Sequence, residues 1–130
     1  MTVDEHTEAA TLMRAVRGAE HVWPELRLFH AIPNGGHRSR RTAGRLKAEG
    51  VRPGVPDYFL PVSRGGAHGL YIELKRTKGG RVEKEQRVWL AALAEQGYCT
   101  AVARGWEEAW AVIRDYLASD GAANDDEERA

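Results

Sequence analysis

The chain has 130 residues, 42% of them hydrophobic and 29% charged, and its 19 basic residues balance 19 acidic ones. That composition fits one soluble globular domain with a modest core. It excludes a membrane span, because no apolar run exceeds a few residues. The start, Met1-Thr2-Val3-Asp4-Glu5, lacks the positive-then-apolar pattern of an export signal, so a cytoplasmic protein is expected. Cys99, the only cysteine, cannot form an internal disulfide; among Tyr98, Thr100, Ala101 and Val102 it reads as a buried strand thiol.

In chain order, Ala9, Leu12, Met13 and Val16 fall at helical spacing, which predicts a helix over 4–17 with Asp4 as its cap and Gly18 at its end. Leu26 to Ile32 reads as a strand, stopped by the turn cluster Pro33-Asn34-Gly35-Gly36. Ser39 to Glu49 reads as a short basic helix, capped by Ser39 and followed by Gly50. Tyr58–Val62 and Leu70–Lys75 are predicted as two antiparallel strands joined by the glycine-containing turn Ser63–Gly69, with Pro56 just ahead of the first. Gly79-Gly80 breaks the chain. Val82, Gln86, Trp89, Leu90 and Leu93 then mark a helix closed by Gly97, Tyr98–Ala103 a strand, and Trp106, Ala109, Trp110, Ile113 and Leu117 a last amphipathic helix. The four tryptophans, Trp23, Trp89, Trp106 and Trp110, are read as packing residues. The domain is expected over residues 1–118, and the acidic segment 119–130 as a disordered tail. This order predicts an α/β layer architecture, a small mixed β-sheet flanked by helices.

Charge is unevenly spread. Residues 121–130 hold four acids and one arginine; setting these aside from the 19 and 19 of the whole chain leaves 18 basic against 15 acidic, a net +3. Arg38, Arg40, Arg41, Arg45, Lys47 and Arg52 lie close together against only Glu49, and Lys75, Arg76, Lys78 and Arg81 form a second basic group. Such patches suit a phosphate backbone.

On a strand, residues i and i+2 share a face, so Glu73 and Lys75 point one way and Ile72 and Leu74 point into a core. With Asp57 nearby, two carboxylates, the Leu74 carbonyl and waters would satisfy the hard, oxygen-preferring Mg2+ or Mn2+. Lys75 would orient water or stabilise charge growing on a phosphate. His30, His37, His68 and Cys99 have no zinc-like spacing, and neither a Walker-type loop nor a Ser/His/Asp arrangement is present.

Ile32-Pro33-Asn34-Gly35-Gly36, Gly54-Val55-Pro56-Asp57, the run from Arg64 to Lys75, and Glu85-Gln86 together resemble the VRR-NUC family, a branch of the PD-(D/E)XK nucleases, over nearly the whole chain from Glu5 to Leu117. The likeness is greatest to small stand-alone members of phages and bacteria. It implies a restriction-endonuclease-like fold and a catalytic set of Asp57, Glu73, Lys75 and Gln86, with Asp57, Glu73 and Leu74 on the metal. An acid of the first helix completes the family's site: Glu5 fits that register best and Glu8 is the alternative. Where the family commonly has a glutamine four residues after this acid, Ala9 stands here. Asn34, His37, Arg38, Arg40, Arg41, Arg45, Lys47, Arg76 and Lys78 are the expected DNA contacts.

The implied activity is metal-dependent endonucleolytic hydrolysis of DNA. Holliday-junction-like branched DNA is the leading substrate and a homodimer the expected form, since symmetric incision of a junction needs two sites. Cleavage of flapped, single-stranded or linear DNA, and a non-catalytic DNA-binding module, are the alternatives.

Overall fold

The computed structural model describes residues 4–33 and 40–129, with side chains through Ser119. Asn34, His37, Arg38 and Ser39, and most of the turn after Pro33, lie outside the described residues. Helix α1 spans Glu5–Gly18; the Asp4 side chain caps it by accepting from the Thr7 N–H at 2.7 Å, and Leu12 and Val16 are buried on its inner face. Helix α2 is Arg40–Ala48, α3 is Lys84–Glu95 and α4 is Trp106–Arg129. The strands are β1 (His30–Ala31), β2 (Tyr58–Leu60), β3 (Leu70–Lys75) and β4 (Cys99–Arg104).

The strands form one mixed sheet in the order β1-β2-β3-β4. β1 and β2 pair antiparallel, as do β2 and β3, while β3 and β4 run parallel and are joined through α3. The expected hairpin and the expected α/β class are both present. Along β3, Leu70, Ile72 and Leu74 are buried towards α1 and α4, where Leu12, Val16, Ala109, Ile113 and Leu117 complete the core. Tyr71, Glu73 and Lys75 occupy the other face, on the side of α3.

The stretch Leu26–Ile32 is not one strand. Pro24–Leu28 is a 3-10 helix, and only His30 and Ala31 join the sheet. Leu26 and Leu28 suggest alternation, but Leu28 is 51% exposed; the buried pair is Leu26 and Phe29, three apart, which a 3-10 turn brings to one side. Pro24 presets the first turn. Helix α4 is also longer than its apolar periodicity predicts. Its backbone continues through the acidic segment, whose Ala, Asp and Glu residues contain no proline to stop it.

Trp23, Trp106 and Trp110 pack at the margin of the core, as expected. Trp89 instead lines a cleft of about 440 Å³ with Pro33, Arg52 and Val55. Cys99 is half-buried rather than buried, and desolvation raises the pKa of its thiol, which disfavours the reactive thiolate. Among the described residues no helix is long and apolar enough to cross a membrane.

Candidate active site

β3 delivers Glu73 and Lys75 side by side, and both are buried: Glu73 is 2% and Lys75 7% exposed. The Lys75 Nζ lies 3.3 Å from Glu73 Oε2. Asp57, at the end of the Gly54–Asp57 loop, accepts the backbone N–H of Leu74 on its Oδ2 at 2.7 Å, and its own carbonyl accepts from Ile32 N–H at 2.7 Å. The loop is thus stitched to both neighbouring strands.

The register explains why the Leu74 backbone is available there. Tyr58 pairs with Ile72, so continuing the ladder places Pro56 opposite Leu74, and proline has no N–H to donate. The Leu74 N–H goes to Asp57, and the Leu74 carbonyl, on the same side of the strand, faces the same loop. The bonds from Cys99 to Gly69 and from Gly105 to Lys75 show the odd-numbered carbonyls turned the other way, towards β4.

Gln86 is fixed by the start of α3. Glu83 caps that helix, and Gln86 Oε1 accepts the Glu83 N–H at 2.8 Å, a reciprocal capping box. A backbone N–H can only donate, so the amide oxygen must face it. The amide nitrogen therefore faces the sheet and donates to Glu73 Oε2 at 2.9 Å. Glu73 Oε2 thus has two donors, whereas the buried Oε1 has no hydrogen-bond partner among the described residues. Burial, then the charge of Asp57, pushes the Glu73 carboxyl up to about 7, while Lys75 works in the opposite direction.

Among the described residues no three His, Cys, Asp or Glu side chains cluster as a metal cage. The oxygen donors brought together are the Asp57 and Glu73 carboxylates and the Leu74 carbonyl. A bare buried carboxylate oxygen, on a group whose ionisation is resisted by burial and by the neighbouring Asp57 charge, suits a divalent cation that keeps several waters.

The two helix acids go to different places. Glu5 is exposed and lines a cleft of about 210 Å³ with Ala9, Ala31, Ile32, Asp57, Tyr58 and Leu74. Glu8 is buried and its Oε1 accepts the Trp106 N–H at 3.0 Å, capping the start of α4. Only Glu5 is brought to Asp57.

Arg40, Arg41, Arg45 and Lys47 are exposed on α2, a helix with no buried residue. Arg76 and Lys78 are exposed on the loop after β3. Sequence reasoning quoted Gly54 in its motif without a role and missed Glu83. Gly54 has φ +92°, and a Cβ there would lie 2.8 Å from the carbonyl carbon and oxygen of Glu85, so the Asp57 loop and α3 touch backbone to backbone. The signal for Glu83 was its spacing of three from Gln86 at a helix start.

Fold and site together define a nuclease-type α/β domain. The VRR-NUC domain model matches residues 14–107, and the chain belongs to that family. It is also similar to a solved structure described as a "VRR_NUC domain protein", with 26% identity and a TM-score of 0.75, covering 91% of this chain and 92% of that one. No curated protein matches the sequence.

Replacing Gln86 by Glu would set a carboxylate where the amide now donates to Glu73. Activity is expected to fall about 10- to 100-fold, the usual cost of losing a partner that orients a ligand. The pH–rate profile is expected to move to higher pH, because the added negative charge raises the Glu73 carboxyl further. An unshifted profile would show that Gln86 does not set the ionisation of Glu73.

Proposed function

We propose that this domain is a Mg2+- or Mn2+-dependent endonuclease that hydrolyses phosphodiester bonds of DNA, with branched DNA of the Holliday-junction type as its substrate and a homodimer as its working form. The observation that carries this reading is the buried, unpartnered Glu73 Oε1 beside Asp57 and Lys75. Asp57, Glu73 and the Leu74 carbonyl would hold the metal, with Glu5 at the rim of the same cleft. When bound, the metal supplies Lewis acidity and lowers the pKa of an attacking water.

The chain's own residues supply the rest. Lys75, held by Glu73 and by its nearly complete burial, offers a fixed positive charge to the negative charge that develops on the phosphate. Gln86 keeps Glu73 Oε2 occupied, which leaves Oε1 as the free acceptor. Leu74 N–H holds the Asp57 carboxylate in place.

The reading of branched DNA rests on the likeness to stand-alone family members and on arithmetic: the described residues form one such site, so paired cuts in a junction need two copies. The test is a panel of labelled four-way junction, flap, single strand and linear duplex. Symmetric nicks confined to the junction are expected. Equal cutting of the linear duplex would replace the junction enzyme with a general nuclease.

The exposed cations of α2 are the proposed backbone contacts. Replacing Arg40, Arg41 and Arg45 together by Gln is expected to reduce the slope of log K against log salt by about 2 to 3, since each phosphate contact contributes roughly 0.9. A slope equal to that of the wild type would leave α2 a merely solvated helix.

A further inference from the structure

We propose a second phosphate site beside the candidate active site, formed by Arg81, Arg104 and the backbone of residues 77–81, which holds the DNA backbone next to the scissile phosphate. It rests on the nuclease reading above and adds a place for the strand on the β4 side of Lys75.

Four observations meet there. Thr77, Gly79, Gly80, Arg81, Glu83 and Arg104 line an open cleft of about 680 Å³. Arg104 pairs with Lys75 in the β3–β4 register, so the cleft begins one strand spacing, about 4.8 Å, from the candidate catalytic lysine. Its Nη1 donates to the carbonyls of Gly79 at 2.8 Å and Arg76 at 3.3 Å, which fastens the loop to β4. Its other guanidinium nitrogens have no protein acceptor among the described residues.

The second observation is the loop backbone. Gly79 and Gly80 have φ +71° and +59°, and a Cβ at Gly80 would lie 4.0 Å from Lys75 Cδ, so the loop folds back along the lysine stem. Among the described residues, no N–H of residues 77–81 donates to a protein acceptor. Free backbone donors in a glycine turn beside cations are a favourable setting for an anion.

The third is uncompensated charge. Arg76, Lys78, Arg81 and Arg104 are exposed, and none takes part in an ion pair among the described residues. The fourth is that the nearby acids are already engaged. Glu83 is occupied in the capping box of α3, and Glu108 Oε1 accepts the Arg104 N–H at 3.2 Å. The site therefore presents net positive charge and neutral donors, which select an anion with several acceptor oxygens. A backbone phosphate is such an anion, and its neighbour along the strand would reach Lys75.

The experiment measures binding of a labelled four-way junction in chelator, so that nothing is cut, over a series of salt concentrations. Wild type is compared with Arg81→Gln, which breaks no hydrogen bond or ion pair among the described residues, and with Arg104→Gln and Arg104→Lys. For Arg81→Gln and Arg104→Gln we expect roughly 3- to 10-fold weaker binding and a log–log salt slope lower by about 1 each, with Arg104→Lys retaining the slope. In parallel, the amide signals of Gly79 and Gly80 are followed as junction DNA or inorganic phosphate is added.

Shifts with DNA at concentrations where inorganic phosphate has no effect support a backbone site. Saturation by inorganic phosphate alone would assign the loop to a free anion and overturn it. An unchanged slope in both glutamine variants, in a wild type that cuts DNA with metal, overturns this inference and leaves the nuclease reading intact. A wild type that neither binds nor cuts overturns both.

Discussion

Glu73→Gln is expected to lower cleavage by about 10³-fold or more and to erase the stabilisation of the protein by Mg2+ or Mn2+. The variant is nearly isosteric, so the loss would come from charge and not from packing. Its diagnostic feature is pH. The Glu73 carboxyl is raised from 4.5 to about 7 in the folded protein, so the metal-free fold binds a proton that the unfolded chain has released. Stability then falls as pH rises from about 4.5 through 7, by up to about 3 kcal/mol from this one group, and the loss is complete above 7.

The difference in thermal midpoint between wild type and Glu73→Gln, both metal-free, is thus expected to change between pH 5 and pH 8, with the wild type losing ground at the higher pH. Metal reverses this, since it takes the place of the proton; metal-induced stabilisation of the wild type should be larger at pH 8 than at pH 5. A variant that still cuts would remove Glu73 from the chemistry, and a difference that does not vary with pH would show that its carboxyl is not raised in the fold.

Gly54→Ala has the second largest expected effect, and it contains no catalytic group. A methyl there meets the Glu85 backbone at 2.8 Å in a conformation, φ +92°, that alanine resists. Strain and overlap together are expected to cost about 2–4 kcal/mol. Where the fold survives, the loop must move, and Asp57 three residues on moves with it. A displacement of about 1 Å is enough to cost roughly 10²-fold in turnover.

Gly66→Ala is the control. Gly66 also has a positive φ, +83°, but its Cβ would meet nothing within 4 Å. It should lose about 1–3 kcal/mol from strain and none of the intrinsic rate. Urea unfolding and single-turnover cleavage of the two variants separate backbone strain from displacement of the site. Equal turnover in both would show that the contact between Gly54 and Glu85 does not position Asp57.

What the sequence made legible follows from what its patterns encode. β3 was readable because a period of two, Leu70/Ile72/Leu74 against Tyr71/Glu73/Lys75, fixes the face of each side chain once the apolar set is buried. The choice between Glu5 and Glu8 was not readable. The two are three residues apart and share a helix face; what separates them is the position of the Trp106 N–H, which arrives from the far end of the chain.

The same holds for Leu26–Phe29, where alternation and i+3 spacing coincide over so few residues that only burial of Phe29 with Tyr58 decides. Gln86 was placed near the site by resemblance. Its orientation, however, depends on Glu83, a local helix-start signal that could have been read from spacing alone. Arg104 gave no signal, because its relation to Lys75 exists only through the parallel register of β3 and β4.

Asp57 and Glu73 are proposed to hold together a divalent metal that Lys75 helps put to use in phosphodiester hydrolysis. The most direct measurement is cleavage of a labelled four-way junction by wild type, Asp57→Asn and Lys75→Ala, each with Mg2+, Mn2+ or chelator. The expected result is cleavage by wild type with either metal, none in chelator, and a loss of at least about 10²-fold in both variants although they still bind the junction. Cleavage by wild type in chelator, or undiminished cleavage by Asp57→Asn, would contradict it.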